Sequence, residues 1–233
     1  MPGYVIHMAV ASRILEEKGI TDSSFTNAFL LGNIIPDSMA RDRKKESHFW
    51  DDVTYGNLNR IPNIKDFLAQ YGDKLDDPFV LGYYTHLLLD NLFVKEYWSQ
   101  HFDMLDKDMN LNNSYDQVCF FRIKRTGEII SRERFLSEEF YYGDYDRMNP
   151  LILEQYSVFL PTKGIDINKE LPIVQINAQA AAPVIENMLE NIRCMLKGKD
   201  NMEGYDREEL KVFELQHIFN LMDKVVRNVC EII

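Results

Sequence analysis

Cysteine is scarce in this chain, with only Cys119, Cys194 and Cys230 among 233 residues. An odd number at wide spacing argues against a disulfide framework or a cysteine-built zinc site, and apolar neighbours predict reduced thiols in the core. Positive charge is also in short supply. Twenty-six Lys and Arg face 37 Asp and Glu, for a formal net charge of -11, which opposes extended nucleic-acid or anionic-membrane binding. No apolar run reaches the roughly 18 to 20 residues that a membrane span needs. The opening Met1-Pro2-Gly3-Tyr4-Val5-Ile6-His7 lacks the basic and apolar regions of a secretory signal, so the chain as given reads as cytoplasmic with no transmembrane segment. Alternating runs bounded by hairpin turns are missing too, which leaves strands at most a minor part.

What is present is helical periodicity over most of the length. The expected architecture is all-α, a compact multi-helix bundle forming a single domain over 1–233. Helices are predicted near 3–18, 24–32 and 63–70, then from Asp76-Asp77-Pro78, an aspartate cap followed by a first-turn proline, to about Ser99. Ser114 or Asp116 is expected to cap a helix carrying Val118, Phe120, Phe121 and Ile123. Further helices are expected over 150–159 and 172–196, and a last one starts at an Asp206 cap. Residues 38–61 and 138–149 read as irregular.

Five histidines are present: His7, His48, His86, His101 and His217. His86 and Asp90 stand four apart in Tyr83-Tyr84-Thr85-His86-Leu87-Leu88-Leu89-Asp90-Asn91-Leu92-Phe93, so they share one face of a helix whose remaining surface is apolar. Such a polar pair must be satisfied inside the protein, and a metal ion is the obvious partner. His7 lies on the first helix. Gly32-Asn33-Ile34-Ile35-Pro36-Asp37 ends the second, with Pro36 holding the backbone so that Asp37 projects from a helix terminus, and His48 follows a basic run. Three histidines and two carboxylates suit zinc or a similar divalent transition metal.

In this order, His7, Asp37 in G-x-x-x-P-D, His48 and the His86-x-x-x-Asp90 pair resemble the zinc-dependent phospholipase C family, distantly related to the S1/P1 nucleases, over roughly the first 100 residues. The resemblance implies one ion among Asp37, His48, His86 and Asp90, with Asp90 bridging to a second ion held by His7. It implies phosphoester hydrolysis, with Asp37 as both ligand and general base. The family's third ion also uses a free amino terminus and a downstream H-x-x-x-E pair. Neither His101 nor His217 begins such a pair, so that ion cannot be carried over; carboxylates in 138–146 are the candidate replacements.

Two functions compete. One is a metal-dependent hydrolase of phosphoric esters, acting on a small phosphoester or a phospholipid with one or two zinc ions. The other is a non-catalytic helical binding module that retains a partial structural metal site. The Arg41-Asp42-Arg43-Lys44-Lys45 run is a candidate anion contact or solvated surface. Tyr141, Tyr142 and Tyr145 are candidates for a pocket wall or a core edge. His217 reads as structural. Oligomeric state does not follow from the sequence.

Overall fold

A computed structural model describes residues 2–199 and 209–233. Helix α1 (Tyr4–Glu17) stops where Gly19 takes a φ of +59°, a left-handed conformation that costs glycine nothing. Helix α2 (Ser23–Ile34) starts at Asp22, whose side chain accepts the Phe25 N–H at 2.7 Å. It runs directly into a 3₁₀ turn (Ile35–Ser38) containing Pro36 and Asp37. Short helices α3 (Lys44–Ser47) and α4 (Asp52–Tyr55) follow, then α5 (Ile64–Tyr71) and the central α6 (Pro78–Leu92). Asp77 caps α6 by accepting from Phe79 and Val80 N–H, with Pro78 in the first turn.

Helices α2 and α6 approach so closely that only glycine fits between them. A Cβ on Gly32 would lie 2.0 Å from the Phe79 carbonyl oxygen, and one on Gly82 2.1 Å from that of Phe29. This pair sets the spacing of the two elements that carry Asn33, Asp37, His86 and Asp90.

Beyond α6 the chain continues as a π-helical segment (Phe93–Trp98) and a last helical turn, α7 (Ser99–His101). A three-stranded antiparallel sheet follows, β1 (Phe102–Leu105), β2 (Phe120–Ile123) and β3 (Ile129–Ser131), in the order β1-β2-β3. The fold is therefore mostly helical but not all-α. The helix expected over Val118 to Ile123 is strand β2, registered with Phe102 opposite Ile123 and Leu105 opposite Phe120. Phe121 and Ile123 are buried while Phe120 and Arg122 are half-buried, an alternation that four residues are too few to distinguish from a helical face. Gly127, at φ +75°, turns the chain between β2 and β3.

The expectation of an irregular 138–149 is also corrected. After α8 (Arg132–Phe135), helix α9 spans Tyr141–Gln155 with Pro150 inside it. Local propensity there is poor, and burial of Tyr141, Met148, Ile152 and Leu153 compensates for it. Helix α10 covers Ala178–Lys199 and α11 Leu215–Cys230, starting later than the expected cap at Asp206, which lies outside the described residues. Helix α11 buries Ile218, Leu221, Met222, Val225, Val226 and Val229 as it packs against α1. No helix of the described residues is long and apolar enough to cross a membrane. The cysteines are free as expected, but Cys119 and Cys194 are exposed and Cys230 half-buried, so none is a core thiol.

Candidate metal centre

All five residues expected at the site meet at one place. His7 comes from the first turns of α1, Asp37 from the 3₁₀ turn after α2, His48 from the end of α3, and His86 and Asp90 from one face of α6. His7, His48, His86 and Asp90 are at most 1% exposed; the Asp37 side chain, at 14%, reaches outward. Asp90 is the hub. Its Oδ1 lies 3.4 Å from His7 Nε2, and its Oδ2 lies 3.5 Å from His86 Nε2 and 3.6 Å from His48 Nε2. Asp37 Oδ1 is 3.5 Å from His48 Nε2.

Hydrogen bonds around the rim fix the imidazoles. His86 Nδ1 donates to the Asn33 carbonyl oxygen at 2.8 Å, a free acceptor at the end of α2. His48 Nδ1 lies 2.9 Å from Ser47 Oγ, and that hydroxyl donates to the Pro36 carbonyl at 3.1 Å, so the hydroxyl must accept from the ring. Both Nδ1 atoms then carry the proton, and both Nε2 atoms present lone pairs. Yet these two Nε2 atoms face one another at 3.4 Å. The His7 ring stacks on His86 with centroids 3.8 Å apart.

The consequence is a buried space lined by acceptors. Neither oxygen of Asp90 and neither nitrogen of His7 has a hydrogen-bond partner, whereas buried polar atoms are almost always paired. Two imidazole nitrogens and an ionised carboxylate converging in this way need positive charge between them, from a proton on His86 or from a bound cation. Outer groups orient two of the three rings, as expected of ligating histidines. Three sets among the described residues can hold an ion, two of them here, His7 with His86 and Asp90, and Asp37 with His48 and His86, and a third apart from this centre, His101 with Glu214 and His217. Because Asn33 occupies His86 Nδ1, that ring has only Nε2 to offer, and Asp90, with two oxygens, is the residue suited to bridge.

The shifts of His7, His48, Asp37 and Asp90 favour the ligating forms, and that of His86 opposes ligation. Burial lowers His7 to about 4, with His86 nearby adding to the effect, and burial also lowers His48. For His86 burial acts in the same direction, but the Asp90 and Asp37 charges outweigh it and raise the value. Burial alone would raise both carboxyls. His86 and His7 instead bring Asp90 well below the usual carboxylate range, and Lys44, at 2.8 Å, does the same for Asp37. At neutral pH both carboxylates are ionised.

His101 does not join this centre. Its Nδ1 lies 3.0 Å from Glu214 and its Nε2 3.1 Å from His217 Nδ1, forming a separate chain of contacts that ties the end of α7 to the start of α11. The carboxylates of 138–146 do not complete the site either. Asp144 is fully buried but accepts the backbone N–H groups of Lys211, Val212 and Phe213 at 2.9, 2.7 and 3.0 Å, while Glu139 holds Arg134.

Through Asp37 and Lys44 the centre meets a pocket of about 590 Å³, a size that suits a small-molecule ligand. Tyr141, Tyr142 and Tyr145 line it, as do Arg41 and Met188. The tyrosines and part of the basic run are thus pocket wall. Sequence reasoning missed Ser47, the Asn33 carbonyl, Arg60, Tyr115 and Arg132. Only the adjacency of Ser47 to His48 offered any signal. Compared with known proteins, the chain matches no family model, no curated protein and no solved structure.

Proposed function

We propose that this chain is a divalent-metal-dependent hydrolase of phosphoric esters, with zinc as the leading ion. The observation that carries this reading is the buried convergence of His86 Nε2, His48 Nε2 and both oxygens of Asp90, neither of those oxygens having a hydrogen-bond partner. His7, His86 and Asp90 would hold an inner ion, and Asp37 and His48 an outer one. What a divalent ion supplies when bound is a water whose pKa falls from 15.7 toward about 7, and positive charge opposite the phosphoryl oxygens.

The chain's own groups account for the rest. Asp37 is the cluster carboxylate that reaches the pocket, so it orients the attacking water and accepts its proton. Lys44, paired to the same carboxylate, keeps Asp37 from retaining that proton and places an ammonium where a phosphoryl oxygen arrives. Trp50 and Tyr141, which also line the pocket, exclude water from the ester.

The deep burial of His7, His86 and Asp90 favours a second reading, an inner ion that serves folding in a non-catalytic binding module. Elemental analysis of untagged protein, wild type beside Asp90→Ala and His86→Ala, with bis(p-nitrophenyl) phosphate hydrolysis on the same samples, separates the two. About two equivalents of metal, lost together with activity in both variants, support the hydrolase. Metal present without turnover, and unfolding on its removal, supports the binding module. A folded, metal-free and inactive wild type after divalent ions are added back sinks both.

A further inference from the structure

One wall of the pocket beside the metal centre is built from three arginines around one tyrosine. Arg41 Nη2 donates to the Tyr115 hydroxyl at 3.1 Å. The Arg132 guanidinium carbon lies 4.3 Å from the Tyr115 ring centroid and that of Arg60 5.4 Å from it. Arg60 also sits 5.2 Å from the Trp50 ring and 4.6 Å from that of Tyr55. Cation–π contact of this kind positions a guanidinium without neutralising it.

None of the three has a carboxylate partner among the described residues. Their hydrogen bonds go to the Tyr115 hydroxyl, the Tyr55 carbonyl, and the carbonyls of Tyr115 and Val118. Elsewhere Arg13, Arg43, Arg122, Arg134 and Arg193 each hold an Asp or Glu. In a chain with eleven more acidic than basic side chains (37 less 26), three neighbouring guanidiniums without an ion-pair partner are free to accept an anion. Trp50 and Trp98 line the same space. The wall offers donors in excess, the complement of the acceptor-rich metal centre.

We infer that Arg41, Arg60 and Arg132 bind a second anionic group of the ligand, a phosphate or carboxylate, so that the ester acted on carries two anionic centres. The identity of that ligand as a substrate rests on the hydrolase reading; the anion site itself does not. A quaternary ammonium headgroup is excluded from this wall by charge, and a neutral leaving group leaves the guanidiniums unmatched.

The protein contains only two tryptophans, Trp50 and Trp98, and both line this pocket, so intrinsic fluorescence reads it locally. Full-length protein as purified is titrated with sodium sulfate against sodium chloride at constant ionic strength. Arg41→Met and Arg60→Met serve as variants, because Arg132 also anchors backbone. A saturable change with sulfate alone is expected, weakened about tenfold or more in each variant, as for loss of one charge-assisted contact. A response that does not saturate, or that is as strong in both variants as in the wild type, overturns the anion site. Turnover of bis(p-nitrophenyl) phosphate and of an ester bearing a second phosphate is measured on the same samples. Arginine-dependent sulfate binding without turnover of either ester keeps the anion site and removes the hydrolase reading. Turnover without sulfate binding does the reverse. A preference for the doubly anionic ester that falls in Arg60→Met supports both.

Discussion

Asp90→Asn tests the metal centre most directly, because it preserves volume and removes only charge and one ligand oxygen. On the proposed reading an ion offsets the uncompensated charge of Asp90 in the wild type; without it, an ionised carboxylate lies fully buried with neither oxygen hydrogen-bonded. An ion that binds only the folded state at a free concentration one hundred times its Kd adds about 2.7 kcal/mol. For a chain of 233 residues, each kcal/mol moves Tm by about 2–4 °C, so a chelator should lower the wild-type Tm by roughly 5–11 °C. Asp90→Asn should lose most of that response, since its bridging ligand is gone. In chelator its Tm should equal or exceed that of the wild type, because the uncompensated buried charge has been removed. The assay is thermal melting followed by circular dichroism, four samples in parallel. A wild-type Tm indifferent to chelator, or an Asn variant that is equally sensitive to it, would refute the reasoning.

Other outcomes follow from particular contacts. Asp144→Ala deletes the acceptor of three backbone N–H groups and should cost about 3 kcal/mol in denaturant melts while bound metal per folded molecule stays unchanged; loss of metal at full folding would restore Asp144 as a ligand. Gly82→Ala places a methyl 2.1 Å from the Phe29 carbonyl and should destabilise by at least about 1–3 kcal/mol. Metal content should fall with it, because α2 carries the Asn33 carbonyl that orients His86; an unchanged Tm would show that α2 and α6 can separate freely. For pH, His7 is lowered from 6.5 to about 4, so the unfolded chain binds the extra proton in that window and stability must fall as pH drops from about 6.5 to about 4. The depressed Asp37 and Asp90 act in the same direction at still lower pH. The raised His86 acts oppositely, contributing stability that is lost as pH rises through its folded value. Chelator-treated protein whose Tm is flat between pH 7 and 4 would contradict the balance.

Features that depend on near neighbours along the chain were legible in the order of residues. Asp22 and Asp77-Pro78 fix helix starts through local hydrogen bonds, Gly19 fixes a stop, and the four-residue spacing of His86 and Asp90 puts both on one face wherever a helix forms. The candidate ligands were legible because their chemistry is uncommon: five histidines, of which three lie beside a proline-aspartate turn or in apolar helix. Only tertiary structure decided what depends on partners far along the chain. Strand β2 exists because Phe102 to Leu105 are there to pair with it, and α9 because a core accepts its apolar face. Asp144 was indistinguishable from a ligand until the backbone of Lys211 to Phe213 came within reach. Arg41, Arg60, Tyr115 and Arg132 span more than 90 residues of sequence without any common motif. Their convergence is set by chain topology, which closes loops that no local spacing encodes.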